Sequence, residues 1–243
     1  MSNWSKFIVA ADVHGDMQDA PSVKAFHAFT KLWKPRLRIL AGDVWDFRPL
    51  RRKANEDERR ESLQADFKAG MSFIDDFQPH YFLRGNHDER LWELAERANG
   101  VASDYALQGI GEISEVLDEI KCRMLPYHKR DGILKIGHLK ILHGFHSGIY
   151  ASRQTALIYG SCLFGHIHTV DEHSIPGLER RVARSIGCLC ALDQEYNARQ
   201  TLTLRQAHGF AYGILNEKTG DYRVWQGEEI NGQWILPTDT VTL

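Results

Sequence analysis

Five polar phrases divide the first two thirds of this chain, and most of them follow directly on an apolar run: Asp12-Val13-His14, Gly42-Asp43, Gly85-Asn86-His87-Asp88, His143-Gly144 and Gly165-His166-Ile167-His168. The runs before them, residues 7–11, 37–41, 79–83, 139–142 and 161–164, have strand length and composition. A chain organised this way delivers carboxylate, amide and imidazole donors from strand ends, where open α/β sheets place their ligands.

Between the strands the pattern changes to a helical period. Pro21 opens a segment in which Val23, Phe26, Phe29 and Trp33 share one face, and Pro35 ends it. Asn55 with Glu58 resembles a capping box and predicts one long helix whose stripe is Leu63, Phe67, Met71, Ile74 and Phe77. A further helix is expected over 89–98, stopped by Asn99-Gly100. Residues 101–130 carry the weakest pattern, with a helix expected near 113–121. Residues 134–136 and 139–142 straddle Gly137-His138 as a hairpin, residues 182–186 read as a strand, and 210–215 with 222–226 form a closing hairpin. Strands, helices and late hairpins together predict an α/β chain of mixed sheets with helices outside.

The length of 243 residues suits one domain of this type, and 1–243 is read as a single domain. No apolar run approaches the ~20 residues of a membrane span. The N-terminus lacks signal-peptide organisation. The four cysteines, Cys122, Cys162, Cys188 and Cys190, show no C-x-x-C pairing and read as reduced buried thiols. The expected location is therefore the cytoplasm. A formal charge of −2 offers no global basic surface, which weighs against a nucleic-acid partner without removing it.

Hydrolysis of a phosphate ester needs a nucleophilic hydroxide, neutralised charge and a proton for the leaving oxygen. Two divalent ions about 3.5–4 Å apart supply the first two, given carboxylates and neutral imidazoles with one donor bridging. Taken singly, each phrase has an ordinary reading: Gly42-Asp43 as a turn, Asn86 as a helix cap, any histidine as a surface or core residue. Seven such donors in order, mostly at strand ends, are not explained by turns and caps together.

The order Asp-x-His, Gly-Asp, Gly-Asn-His-Asp, His, Gly-His-x-His resembles the calcineurin-like metallophosphoesterase superfamily over residues 7–168. The resemblance implies a four-layer α-β-β-α sandwich of two mixed sheets. It implies that Asp12, His14 and His168 bind one ion, that Asn86, His143 and His166 bind a second, and that Asp43 bridges them. It gives His87 the role of general acid, with in-line attack by a metal-bridging hydroxide, and makes Asp88 the carboxylate orienting His87. Mn²⁺, Fe²⁺ or Zn²⁺ suits this N/O set, which holds no thiolate to select a soft ion.

Gly42-Asp43-Val44-Trp45-Asp46 lacks the Gly-Asp-x-Val-Asp-Arg-Gly phrase of phosphoprotein phosphatases, and Gly165-His166-Ile167-His168 is foreign to that branch. Both departures point to the phosphodiesterase and nuclease branch. Residues 187–190 and 209–213 are loosely similar to the C-terminal part of phage and prophage metallophosphoesterases. Arg48 and Arg51, with Arg52 and Lys53, follow the bridging aspartate and are read either as phosphate-holding residues or as a solvated stretch before a charged helix. His146, three residues after His143, touches substrate or is a loop residue; Asn86 is a further substrate contact. The expected activity is phosphodiester hydrolysis, the expected partner a phosphate ester, with nucleotides and nucleic acid among the candidates. The alternatives are a DNA exo- or endonuclease, a phosphomonoesterase or nucleotide pyrophosphatase, and an inactive protein-binding scaffold.

Overall fold

A computed structural model describes residues 3–179, 181–192 and 201–236. Two sheets carry the chain. The first has seven strands: β1 (Trp4–Ala10), β2 (Leu37–Leu40), β3 (Tyr81–Leu83), β4 (Arg123–Leu125), β10 (Gly209–Asn216), β11 (Tyr222–Ile230) and β12 (Gln233–Ile235), in the order β12-β11-β10-β1-β2-β3-β4. The second has five: β5 (Leu134–Ile136), β6 (Leu139–Leu142), β7 (Cys162–Phe164), β8 (Val170–Ile175) and β9 (Arg181–Ile186), in the order β5-β6-β7-β9-β8. Pairing is parallel from β1 to β4 and among β6, β7 and β9, and antiparallel elsewhere, so both sheets are mixed.

Alternation along the strands separates two cores. In β1, Phe7 and Val9 face the second sheet, with Ile39, Leu83, Leu139 and Ile141. Ile8 and Ala10 face the helices, against Phe26, Phe73, Ile74 and Phe77. Helices α1 (Ala20–Trp33) and α3 (Leu63–Phe77) present their apolar stripes to that outer core. Asp19 caps α1, its carboxylate accepting from Ser22 N–H at 2.9 Å. A smaller cluster, Leu142, Ala156, Cys162, Phe164 and Ala183, packs α6 (Ala151–Tyr159) on the outer face of the second sheet. No described helix is long and apolar enough to cross a membrane.

Several elements depart from the sequence expectation. The long helix from Asn55 is two: α2 (Glu56–Arg60), closed by the Asn55/Glu58 capping box, and α3, capped by Ser62 accepting from Ala65 N–H. The chain breaks at Glu61, where ψ is 156°. The helix read over 89–98 forms as α4 (Glu89–Arg97). Residues 101–130 hold α5, over Val101–Glu119, and then the edge strand β4. Helix α6 and strands β8 and β12 were not expected.

Gly70 on α3 lets the N–H edge of the Trp45 indole approach the helix closely. A Cβ at this position would stand 2.1 Å from the indole Nε1, which donates to Phe67 C=O at 3.0 Å. Trp45 is fully buried and sits in the loop that follows Asp43. Gly70→Ala is therefore expected to destabilise the protein by about 1–3 kcal/mol through overpacking. Urea unfolding checks this, and an unchanged midpoint would show that the indole has room to move.

Candidate metal centre

Strands β1, β2, β3, β6 and β7 run toward one edge of the sandwich, and all five polar phrases emerge there. The loops are stitched together by backbone bonds. Asp12 N–H donates to Gly42 C=O at 2.9 Å, Val13 and His14 N–H both donate to Asp43 C=O, and Gly165 N–H donates to His143 C=O at 2.8 Å. Asp12, His14, Asp43, His166 and His168 all have φ between 51° and 73°, in the left-handed region. That region costs a non-glycine residue on the order of 1–3 kcal/mol and persists where surrounding structure enforces it. Here the strained residues are the donors themselves.

Asp43 occupies the middle. Its Oδ2 lies 3.1 Å from His143 Nε2 and 4.0 Å from His14 Nε2, while its Oδ1 accepts from His87 N–H at 2.8 Å. A side chain at residue 85 could not fit, since a Cβ there would stand 2.1 Å from Asp43 Oδ1. On one side Asp12 Oδ1 is 3.3 Å from His168 Nε2, which is 3.1 Å from His14 Nε2. On the other, Asn86 Oδ1 is 3.0 Å from His143 Nε2 and 2.7 Å from His166 Nδ1. The structure thus brings together all seven of Asp12, His14, Asp43, Asn86, His143, His166 and His168.

The donor chemistry fits divalent cations. His143 Nδ1 lies 2.9 Å from Ala41 C=O and donates to it, which leaves the Nε2 lone pair facing the Asn86 and Asp43 oxygens. Lone pairs converging on lone pairs in a buried volume need a cation or extra protons. Two trios, Asp43–His143–His166 and His14–Asp43–His87, have ligand atoms within 4.8 Å of one another. With protons alone, burial opposes the charge on His143, yet Asp43 pushes it up to about 9. Burial likewise opposes the charge on His168, yet Asp12 raises it to about 10. Burial and the neighbouring His143 pull His166 down to about 4.

Asp88 does not orient His87. Its carboxylate turns inward and accepts N–H bonds from Asp43, Val44, Trp45 and Gly85 at 2.7–3.0 Å. It pins two loops, although burial and the Asp43 charge push it up to about 7. The carboxylate against His87 belongs to Asp46, with Oδ1 2.5 Å from Nδ1. Asp46 also receives Arg90, at 2.6 Å on its carbonyl and 3.1 Å on its carboxylate. The signal was present as a second carboxylate three residues after Asp43.

A cavity of about 210 Å³ opens over the donors, bordered by His87, His166, His168, Arg48, Arg51 and Arg90. Arg48 is a buried clamp, paired with Asp16 at 2.8 Å, Asp46 at 3.3 Å and also Glu61. Arg51 pairs with Glu58 at 2.8 Å. His146 does not border this cavity. A larger polar cleft of about 860 Å³, bordered by Lys140, Glu172 and Arg184, contains none of the seven donors.

The calcineurin-like phosphoesterase family model matches residues 5–170. Among solved structures, Vps29 from Entamoeba histolytica shares the fold at TM-score 0.50 and 10% identity, covering 95% of this chain and 96% of that one. A metallophosphoesterase from Sphaerobacter thermophilus matches at TM-score 0.44 and 13% identity, covering 92% and 88%. A comparison with curated protein sequences gave no match.

Two outcomes are expected from this geometry. Asp88→Asn should cost about 2 kcal/mol or more, because it sets an amide against buried N–H donors; Asp46→Asn should change stability less. Equal losses in urea unfolding would contradict the division of labour. Loading metal-free protein at pH 7 with Mn²⁺ should release at least two protons, since ligation needs neutral His143 and His168. Calorimetry in buffers of different ionisation enthalpy measures this, and no release would mean that these imidazoles do not ligate.

Proposed function

The chain belongs to the calcineurin-like phosphoesterase family, and from that premise we propose that it is a two-metal hydrolase of phosphodiesters. Metal-dependent hydrolysis of phosphate esters is the family's chemistry; the preference for diesters and the roles of individual residues are the proposal. The observation that carries it is the convergence of two donor sets on Asp43, with His87 bordering the same cavity. Asp12, His14 and His168 would hold one divalent ion, Asn86, His143 and His166 a second, with Asp43 between them. Bound there, the ions would lower the pKa of water and neutralise phosphoryl oxygens.

The chain's own groups supply the rest. Asp46 takes the hydrogen bond from His87 Nδ1, which orients the ring, so that in the imidazolium form Nε2 carries the transferable proton. His87 Nε2 gives that proton to the departing alkoxide oxygen. Burial pulls His87 below its usual value while Asp43 and Asp46 pull it up, and a substrate anion adds to the upward pull. Arg90 braces Asp46 from the other side.

Charge balance supports diesters over monoesters. The arginines bordering the cavity are paired: Arg48 with Asp16, Asp46 and Glu61, Arg51 with Glu58, Arg90 with Asp46. A dianionic monoester would have to draw cations away from those carboxylates, whereas a monoanionic diester asks less. The same pairing argues against a nuclease that grips duplex through phosphate contacts, whose binding would weaken steeply with salt.

With Mn²⁺, kcat/KM is expected to be higher for a generic aryl phosphodiester than for the matching monoester, and chelator should abolish both activities. The reverse ranking would reject the diester assignment. No turnover of any phosphate ester by ion-loaded protein would favour a scaffold. His87→Ala should lower kcat by ~10²–10⁴-fold with metal content retained; full activity would remove His87 from the proton-donor role.

A further inference from the structure

A second cavity, of about 400 Å³, opens between helices α3, α4 and α5. Its walls are mostly apolar: Phe47, Leu63, Phe67, Met71, Leu91 and Tyr105. It contains none of the seven donors, yet it shares a stretch of chain with the metal centre. Asp46, Arg48 and Arg90 border the metal cavity, while their neighbours Phe47 and Leu91 border this one. Small-molecule sites are concave and mostly apolar, with volumes of roughly 300–1,000 Å³ and a few placed polar groups.

The inner wall is built before any ligand arrives. Phe47 and Phe67 both stack on the buried Trp45, with ring centroids 5.9 and 6.0 Å away. Phe47 N–H is held by the Asp66 carboxylate at 2.6 Å. What keeps the space open on the α5 side is Gly109. A Cβ there would lie 3.4 Å from Leu91 Cδ2 and 3.6 Å from Phe67 Cε2, in ordinary contact. Neither its backbone angles nor a close neighbour demands glycine at this position, in the interior of a helix where glycine is unfavourable.

The two rims differ. On α5, Gln108 Nε2 donates to Glu112 Oε1 at 3.0 Å, so that carboxylate is engaged by its own helix. On α3, Gln64 and Lys68 stand one turn apart with no side-chain hydrogen bond or ion pair among the described residues. An anionic group at the α3 rim would therefore meet uncommitted N–H donors, and the aromatic wall would receive a flat apolar body.

We propose that this cavity binds a small aromatic acid, with its ring against Phe47, Phe67 and Tyr105 and its anionic group at Lys68 and Gln64. The site does not depend on the two-metal reading.

The test is calorimetric titration of the full chain with 2-naphthoate and with its neutral counterpart 2-naphthylmethanol. The expected result is saturable binding of one naphthoate per chain, tighter than the alcohol. Lys68→Ala should weaken it about threefold or more, and Gly109→Leu, which fills the space between Leu91 and Phe67, should abolish it. No saturable binding, equal binding of the alcohol, or binding that neither substitution changes overturns the assignment. If Gly109→Leu does not fold, Lys68→Ala decides, because it alters only an exposed side chain. Sedimentation equilibrium of the unliganded chain covers the other occupant: a dimer dispersed by Gly109→Leu would give the cavity to a second copy and overturn the proposal.

Discussion

Asp12 and Asp43 are 0% and 1% exposed, and each has imidazoles within about 4 Å. Buried carboxylates are costly without compensating positive charge, and the folded chain must supply that charge at one point. Much of the surrounding structure meets this demand. Parallel strands bring their ends to one edge, donors accept left-handed backbone, and the glycine at residue 85 lets the His87 loop approach Asp43. Against burial, Asp43 and Asp12 raise the proton affinity of His143 and His168, and divalent ions would take the place of those protons.

A second layer of carboxylates holds the first in place. Asp88 gathers four backbone N–H groups, and Asp66 accepts from Asp46 and Phe47 N–H at 3.2 and 2.6 Å. Asp46 stands between His87, His14 and Arg90. Each aligns a loop or a ring, so the site is stiffened by polar bonds within the edge of an apolar sandwich.

Legibility in the sequence followed the nature of each signal. The donors could be read because each follows an apolar run that folds as a strand, and the alternation of β1 made its two faces visible. The roles of Asp88 and Asp46 could not be separated, because adjacency in the chain says nothing about which carboxylate turns inward. The sequence left Arg48 open between holding phosphate and lying in a solvated stretch, and its partners Asp16 and Glu61 come from other segments that neither reading includes. The break at Glu61 was hidden because the apolar stripe begins beyond it, at Leu63. Strand β8, Val170–Ile175, mixes charged and apolar residues on a sheet edge and carries little alternation to detect.

The central claim is that two cations share Asp43. Anomalous diffraction from crystals grown with Mn²⁺ or Zn²⁺ tests it most directly. Two peaks about 3.5–4 Å apart, flanking the Asp43 carboxylate, are predicted. No peak at this edge of the sandwich, or a single peak that leaves Asp43 uncoordinated, would contradict it.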